Sequence, residues 1–289
     1  MAVASVMILP LQEPVCDARQ ELCVRLYAAA TNQRAANRTA ASGPPVASWT
    51  RGKWLLGYYR TLLEGSCTHR DGQRKVVVEV GAGIGALSVY LAKRGCYVHA
   101  VDAMPAVAAA LRRSVEANAL EGLLFVHSVA VAAASSRQVR VRYTAADLTT
   151  AHVAHAALRK PSPAHAWATT RVRSTTLDSF VMGGSVGWAV PPHHTVDLLR
   201  VDTYGTELEV LQSGRQLLNG GVSRVSVRFD PRRTPEQSIR AANALLEESR
   251  FVPRFYPRLL PPWSWDGLVR QHRTTDIAVY ALPREPKDR

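Results

Sequence analysis

Short apolar runs and stretches of helical period alternate along most of the 289-residue chain. Val76-Val-Val-Glu-Val80 is apolar except for Glu79 and predicts a buried strand; a glycine-rich turn follows, and residues 86–94 then carry the 3.6-residue period of a helix. The same alternation recurs downstream. Strands are expected over 97–101, 123–127, 196–201, 223–229 and 275–282, and helices over 105–118, 206–218 and 235–249. Residues 137–143 and 171–175 instead alternate polar and apolar positions at period two, like strands of an antiparallel insertion, with the His/Ala/Pro-rich stretch 151–169 between them as a loop or loose helix. Strand–helix alternation of this length implies a doubly wound, mostly parallel α/β sheet.

The first 74 residues read differently. Leu22, Cys23, Leu26 and Tyr27 recur at helical spacing within 17–30, residues 37–45 (NRTAASGPP) form a linker, and Ser48 caps a second expected helix over 48–64 with Trp54, Leu55, Tyr58, Leu62 and Leu63 along one face. Residues 1–74 are therefore a partly helical N-terminal extension, and 75–289 the main domain. No internal repeat is visible. No apolar run reaches the length of a membrane span. The apolar N-terminus lacks preceding basic residues and is followed by Glu13, Asp17 and Glu21, which argues against a secretory signal and, more weakly, against a mitochondrial presequence.

Candidate chemistry concentrates where the first strand of the main domain ends. Glu79 stands two residues before Gly81-Ala-Gly-Ile-Gly85, a G-x-G-x-G turn rather than the G-x-G-x-x-G that cradles a pyrophosphate. Glycines there let the chain turn sharply and bring helix N-terminal amides to a ligand. Asp102, at the end of the next strand and 17 residues past Gly85, is placed to take both hydroxyls of a ribose. A ligand with a ribose and an amino-acid tail but no phosphate fits this set, which points to S-adenosylmethionine as cofactor.

On these residues the chain resembles class I methyltransferases and, more narrowly, the FkbM-type family. The resemblance covers about residues 75–282 and rests on VEVGAGIGALSVYLAKRG, AVDAMPAVAAALRRSVEANAL, SVAVAAA, STTLDSF and LLRVDTYGTELEVLQSGRQLL, in the family's order and spacing. It implies a Rossmann-like, seven-stranded class I fold. It also implies that Glu79, Gly81, Gly83 and Gly85 surround the methionine moiety, Asp102 the ribose and Met104 one adenine face, with Ser128 at the adenine edge. In two places the chain departs from the family. The usual D-x-E-G-x-E reads Asp202-Thr-Tyr204-Gly-Thr-Glu207, and the following strand, Val225-Ser-Val-Arg228-Phe, carries an arginine where an acid is typical. A general base works best as a carboxylate or His beside the reacting atom, so Asp202, Glu207 and Tyr204 are the catalytic candidates.

Composition narrows the class without deciding it. A hydrophobic share of 47% and a charged share of 20% exclude a disordered chain. The net charge of +13 favours a polyanionic partner such as RNA, although 31 of the 36 basic residues are Arg, a skew that a GC-rich genome also produces. The densest basic cluster, Arg228, Arg232, Arg233 and Arg240 followed by Arg250, Arg254 and Arg258, comes after the fifth parallel strand and could neutralise several phosphates. Cys16, Cys23, Cys67 and Cys96 form no C-x-x-C pair, so neither a disulfide framework nor a zinc knuckle is expected. An intracellular, reducing compartment, mitochondrial matrix or cytoplasm, follows. His152, His155 and His165 lack companion ligands, and no metal is expected; His193 and His194 read as a turn, and Trp263 and Trp265 as a proline-stiffened loop or a base-stacking pair. Two functional readings follow. One is an FkbM-type methyltransferase acting on an O or N acceptor, with RNA as a candidate partner; the other is a methyltransferase-like subunit or assembly factor of a large ribonucleoprotein, such as a mitochondrial ribosome, with turnover weak or lost.

Overall fold

Strands buried on both faces need helices on either side, and the all-buried runs Val76–Val80, Leu198–Val201 and Val225–Phe229 place the sheet at the centre of the domain. The computed structural model describes residues 7–10, 15–16, 23–25, 27–30, 63, 65–134, 138–144, 147–153, 167–183, 195–229, 234–254 and 276–281. The first strands are β1 (Met7–Pro10), β2 (Val15–Cys16), β3 (Cys23–Val24) and β4 (Tyr27–Ala30). The parallel core begins with β5 (Val76–Val80), α1 (Ala86–Lys93), β6 (Tyr97–Asp102), α2 (Pro105–Ala117) and β7 (Leu124–Ser128). An insertion follows: β8 (Ala130–Val131), β9 (Gln138–Thr144), β10 (Asp147–Val153) and β11 (Trp167–Thr175). The chain then forms α3 (Leu177–Met182), β12 (Leu198–Val201), α4 (Glu207–Gln212), α5 (Arg215–Leu218), β13 (Arg224–Phe229), α6 (Glu236–Glu248), β14 (Val252–Arg254) and β15 (Asp276–Ala281).

The main sheet has the order β14-β15-β13-β12-β5-β6-β7, with all strands parallel except β15. This is the Rossmann-like class I methyltransferase architecture expected from the sequence. One face packs Val77, Val98 and Leu198 against Leu87 and Leu91 of α1 and Leu111 of α2; the other packs Leu199, Val201 and Val227 against Phe180, Leu211 and Leu246. The chain runs outward from β5 to β7 and returns through the insertion to β12. The carboxyl ends of β5 and β12 therefore flank the topological switch point, where open α/β sheets bind ligands. A second sheet, β10-β9-β11-β8, joins that edge, and its inner face (Val141, Leu148, Val153, Val172) packs on Met104, Val107 and Ala110 of the α2 region.

Four expectations are corrected. In place of the helix expected over 17–30, the described residues form β3 and β4, which pair antiparallel with β2 and β1, and side chains at the end of α2 anchor the same backbone: the Tyr27 N–H donates to Ser114 Oγ (2.9 Å), the Arg25 N–H to Asn118 Oδ1 (3.0 Å), and Asn118 Nδ2 to the Arg25 carbonyl (2.7 Å). Of the stretch 151–169, read as a loop or loose helix, 151–153 end β10 and 167–169 begin β11, and 154–166 lie outside the described residues. The single helix over 206–218 splits at Ser213-Gly214, where a Cβ on Gly214 would lie 2.5 Å from the Leu177 side chain. Asp178 of the LDSF segment holds the second piece, its carboxylate accepting from the N–H groups of Gln216 (3.1 Å) and Leu217 (2.8 Å). Finally, Cys67 and Cys96 form a disulfide with a Cα–Cα distance of 4.6 Å, tying the segment before β5 to the start of β6. Their 29-residue separation hid the pair from spacing arguments, and the reducing-compartment reading drawn from unpaired cysteines loses its basis. The linker 37–45, almost all of the helix 48–64, His155, His165, His193, His194, Trp263 and Trp265 lie outside the described residues. Among the described residues no helix is long and apolar enough to cross a membrane, and no group of three metal-ligating side chains occurs.

Candidate functional site

The turn after β5 is shaped by close approach. Gly81 (φ 84°) abuts the end of β12, so that a Cβ would lie 2.0 Å from the Asp202 carbonyl oxygen; Gly85 (φ 74°) opens α1, where a Cβ would lie 2.0 Å from Leu111 Cδ1. Neither position admits a side chain. Between them, Gly83 donates its N–H to Asp102 Oδ2 at 2.9 Å, and nothing lies within 4 Å of where its Cβ would be. Asp102 Oδ1 accepts from the Met104 N–H at 2.8 Å. Burial pushes the Asp102 carboxyl up to about 6, against the two backbone N–H groups that favour its charged form.

A cleft of about 460 Å³, part of it open to solvent, lies at this edge. Gly81, Asp102 and Ala103 line one side, Thr203, Tyr204 and Thr206 another, and Ala130, Val131, Ala151 and Val153 of the insertion the third. Of the sequence-predicted cofactor residues, Gly81 and Asp102 thus meet in the cleft. Met104 is buried and packs its side chain into the insertion core, so only its backbone N–H reaches the site. Ser128 ends β7 directly beside Asp102 in register and is exposed.

Glu79 faces another set of partners. Its Oε2 accepts from Ser88 Oγ (2.5 Å) and its Oε1 from Arg200 Nε (3.1 Å). Arg200 also donates to Asp202 Oδ2 (2.7 Å), and Arg228 Nη1 donates to both Asp202 oxygens (3.1 and 3.2 Å). Two acids and two arginines, all at most 7% exposed, form one chain of alternating charge across β5, β12 and β13. Burial pushes the Glu79 carboxyl upward while the Arg200 guanidinium pulls it back. Burial also works against the charge of Arg228, but Asp202 and Tyr204 more than offset it, and its pKa is raised. The Arg228 guanidinium lies 5.4 Å from the Tyr204 ring centroid and hydrogen-bonds the phenol.

The loop after β12 is strained. Tyr204, φ 56°, occupies the left-handed region, followed by Gly205 at φ 112°. Glu207 holds this turn from within: fully buried, it accepts the Gly205 N–H (2.8 Å) and the Thr234 hydroxyl (3.0 Å), and burial pushes its carboxyl up to about 7. Thr203 Oγ1 is buried without a partner among the described residues. Sequence reasoning missed Arg200. The signal was present, since a lone arginine in the apolar strand Leu198–Val201 demands a buried acid, and Glu79 is the lone acid in the strand that becomes its neighbour.

Of the basic row read after the fifth parallel strand, three side chains are described, and they stand in separate settings. Arg228 is 5% exposed and spent on Asp202, Arg240 pairs with Glu236 on α6 (2.8 Å), and Arg250 lies in the turn before β14. Arg232, Arg233, Arg258 and the side chain of Arg254 lie outside the described residues.

No protein-family profile matches the chain, and no curated protein matches it. Among solved structures it is similar to the Thermus thermophilus 16S rRNA N2 G1207 methyltransferase RsmC, crystallised with AdoMet and guanosine, at 13% identity and TM-score 0.48, over 95% of this chain and 51% of that one. It is similar to the METTL16 methyltransferase domain at 13% identity and TM-score 0.43, over 79% and 81% of the two chains. It is also similar to the FkbM methyltransferase of Methylobacillus flagellatus at 12% identity and TM-score 0.41, over 73% and 45%. The chain spans about half the length of RsmC. The fold assignment rests on the strand order given above.

Proposed function

We propose that the chain is an S-adenosylmethionine-dependent methyltransferase of FkbM type whose partner is RNA. The observation that carries this reading is Asp102, a carboxylate at the end of the second parallel strand that faces the switch-point cleft. Each of its oxygens accepts one backbone N–H, and a carboxylate oxygen has capacity for a second donor, which suits a ribose diol. Open space over Gly83 gives the amino-acid tail a place beside the helix N-terminus. When bound, S-adenosylmethionine supplies an electrophilic methyl group on a sulfonium. Gly81, Gly83, Gly85 and Asp102 would hold it, with Met104 orienting Asp102 through its N–H, Ser128 would lie at the adenine edge, and Glu79 would steady the site by anchoring Arg200.

The acceptor side is set by Asp202, Tyr204 and Glu207. Both Asp202 oxygens already accept from guanidiniums, so this carboxylate holds geometry better than it takes a proton. Tyr204 presents its phenol at the cleft wall, and Glu207 keeps the turn in place. An acceptor nitrogen carrying a lone pair at neutral pH needs no prior deprotonation and suits this arrangement better than a hydroxyl. Catalysis is then chiefly positioning. The same pairing of Asp202 also favours a second reading, a cofactor-binding subunit or assembly factor of a ribonucleoprotein that turns over slowly or not at all.

Calorimetry with S-adenosylmethionine tests the first part. The wild-type chain should bind, and Asp102→Ala should weaken binding at least tenfold; no heat at millimolar ligand would refute the cofactor, and unchanged affinity in the variant would refute the ribose assignment. Copurification from the native source separates the readings, a free enzyme from a particle-bound subunit.

A further inference from the structure

The insertion sheet carries its charges on one side. Along β9, Val139 and Val141 point inward while Gln138, Arg140 and Arg142 point outward; along β11, Val172 points inward while Thr169, Arg171 and Arg173 point outward. The antiparallel register puts Arg140 directly opposite Arg171, Arg142 opposite Thr169 and Arg173 opposite Gln138. Four arginines therefore share one outer face in a zigzag, spaced about 7 Å along each strand and about 5 Å across the pair. Like charges directly opposite destabilise a sheet. A solvated face needs no such arrangement and would be served better by mixed signs, yet no ion pair to these four occurs among the described residues.

We propose that this outer face of β9 and β11 is a binding surface for the phosphodiester backbone of RNA. The inference builds on the RNA partner proposed above but not on methyl transfer. Guanidiniums suit phosphate because their planar fork donates two hydrogen bonds at once, and Thr169 and Gln138 add neutral donors at the ends of the row. Guanidinium contacts to phosphate carry no sequence information, so the contact reads backbone and not sequence. The site also stands where a cleft-bound acceptor needs support: β10 of the same sheet lends Ala151 and Val153 to the cleft wall beside Asp102 and Tyr204. An anionic membrane is the lesser candidate. Among the described residues the exposed large apolar side chains that would enter a lipid interface, Ile8, Tyr97, Phe125 and Met182, lie on other elements.

The test is fluorescence anisotropy with a labelled 20-nucleotide oligouridine, without cofactor, across a potassium chloride series. Each phosphate contact to a single strand adds about 0.7 to the slope of log affinity against log salt. The variant Arg140→Gln/Arg142→Gln/Arg171→Gln/Arg173→Gln should therefore lose about 3 from that slope and at least tenfold in affinity at 100 mM salt. A control, Arg70→Gln/Lys93→Gln/Arg94→Gln/Arg113→Gln, removes the same charge from exposed positions elsewhere and should change affinity far less. Equal losses in both variants would overturn the proposal in favour of diffuse charge. RNA binding unaffected by the insertion variant would overturn the site and leave an RNA partner standing. No binding by the wild type would overturn both while leaving the calorimetric test of the cofactor intact. Loss of sedimentation with phosphatidylserine vesicles, in a protein that ignores RNA, would assign the face to a membrane and overturn the proposal. If the fourfold variant fails to fold, Arg140→Gln/Arg171→Gln should lose about half of the slope change.

Discussion

In the parallel sheet, Glu79, Arg200, Asp202 and Arg228 are buried in alternating sign, every carboxylate meeting a guanidinium, whereas in the insertion sheet Arg140 and Arg171 face each other at the surface with no acid paired to either among the described residues. Both regions place arginine on a strand. The difference is what each charge is spent on. A buried ion must be matched within the protein or it unfolds the sheet, so the first set is consumed internally and shapes the cleft floor. An exposed row of one sign faces no such demand, and its cost is carried without an internal return. Positive charge counted along the chain mixes these two kinds, and only the second is free to meet a polyanion.

The largest effect should come from breaking the balanced set. Arg200→Met removes the buried guanidinium from Glu79 and one of the two guanidiniums on Asp202, and should cost about 3–5 kcal/mol, read as a lowered denaturant midpoint at unchanged slope. Glu79→Gln added to Arg200→Met should recover part of that loss, because the remaining group no longer carries a charge. A loss below about 1 kcal/mol in the single variant would mean that the network is solvated and that the contrast between the two regions is false.

Much of the parallel core was legible because its signals are local. Apolar runs, the glycine turn and Asp102 follow from period and spacing, and the structure places six strands of the main sheet within two residues of expectation at either end, while the seventh, the short edge strand β14, was not expected. What failed to show was non-local. β4 forms by pairing with β1, some 20 residues earlier, and is anchored by the Tyr27 N–H on Ser114, 87 residues away; the disulfide joins residues 29 apart; and Arg200 acquires meaning only when β12 lies beside β5. The Arg228 reading failed for the same reason, since an arginine beside Asp202 in space looks like a surface cluster in sequence. The insertion arginines were within the expected antiparallel strands, but register, and with it the facing of Arg140 and Arg171, is set by pairing that the sequence does not display.

A third arrangement sharpens the comparison, titratable groups buried without charge. His99 and His127 meet at the β6–β7 edge, Nδ1 to Nε2 at 3.3 Å, with His99 stacked on Phe125 and His127 edge-on to Phe180. Burial lowers His99 to about 3, with His127 adding to the effect, and burial lowers His127 to about 4. A histidine with a depressed pKa stabilises the fold above its unfolded value of about 6.5, and that contribution is lost as pH falls toward the folded value. Glu79, Asp102 and Glu207 act in the opposite sense, since burial penalises their charged forms and the penalty is relieved on acidification. The wild-type profile is therefore a sum. The difference between wild type and His99→Leu/His127→Leu isolates the histidines: between pH 6.5 and 4.5 the wild type should lose up to about 1 kcal/mol per pH unit relative to the variant, as part of His127 remains solvated. Parallel melting profiles would mean that the pair titrates freely and is not buried.

The smallest effect bears most directly on the exposed row. One rung of the insertion sheet places Arg142 opposite Thr169 and the next places Arg140 opposite Arg171, so Arg171→Thr converts the second rung into a copy of the first. If the row is kept for a ligand at the fold's expense, this change should stabilise the free protein by a few tenths of a kcal/mol at low salt, because direct like-charge pairs cost about 0.2–1 kcal/mol and exposure screens them. The gain should vanish at 0.5 M salt, where the screening length falls to a few ångströms. The same variant should weaken oligouridine binding, so that stability and affinity move in opposite directions. A drop in stability would reverse the assignment, since Arg171 would then be held by packing of its aliphatic stem along the strand, and the outer face would belong with the buried network among charges the protein spends on itself.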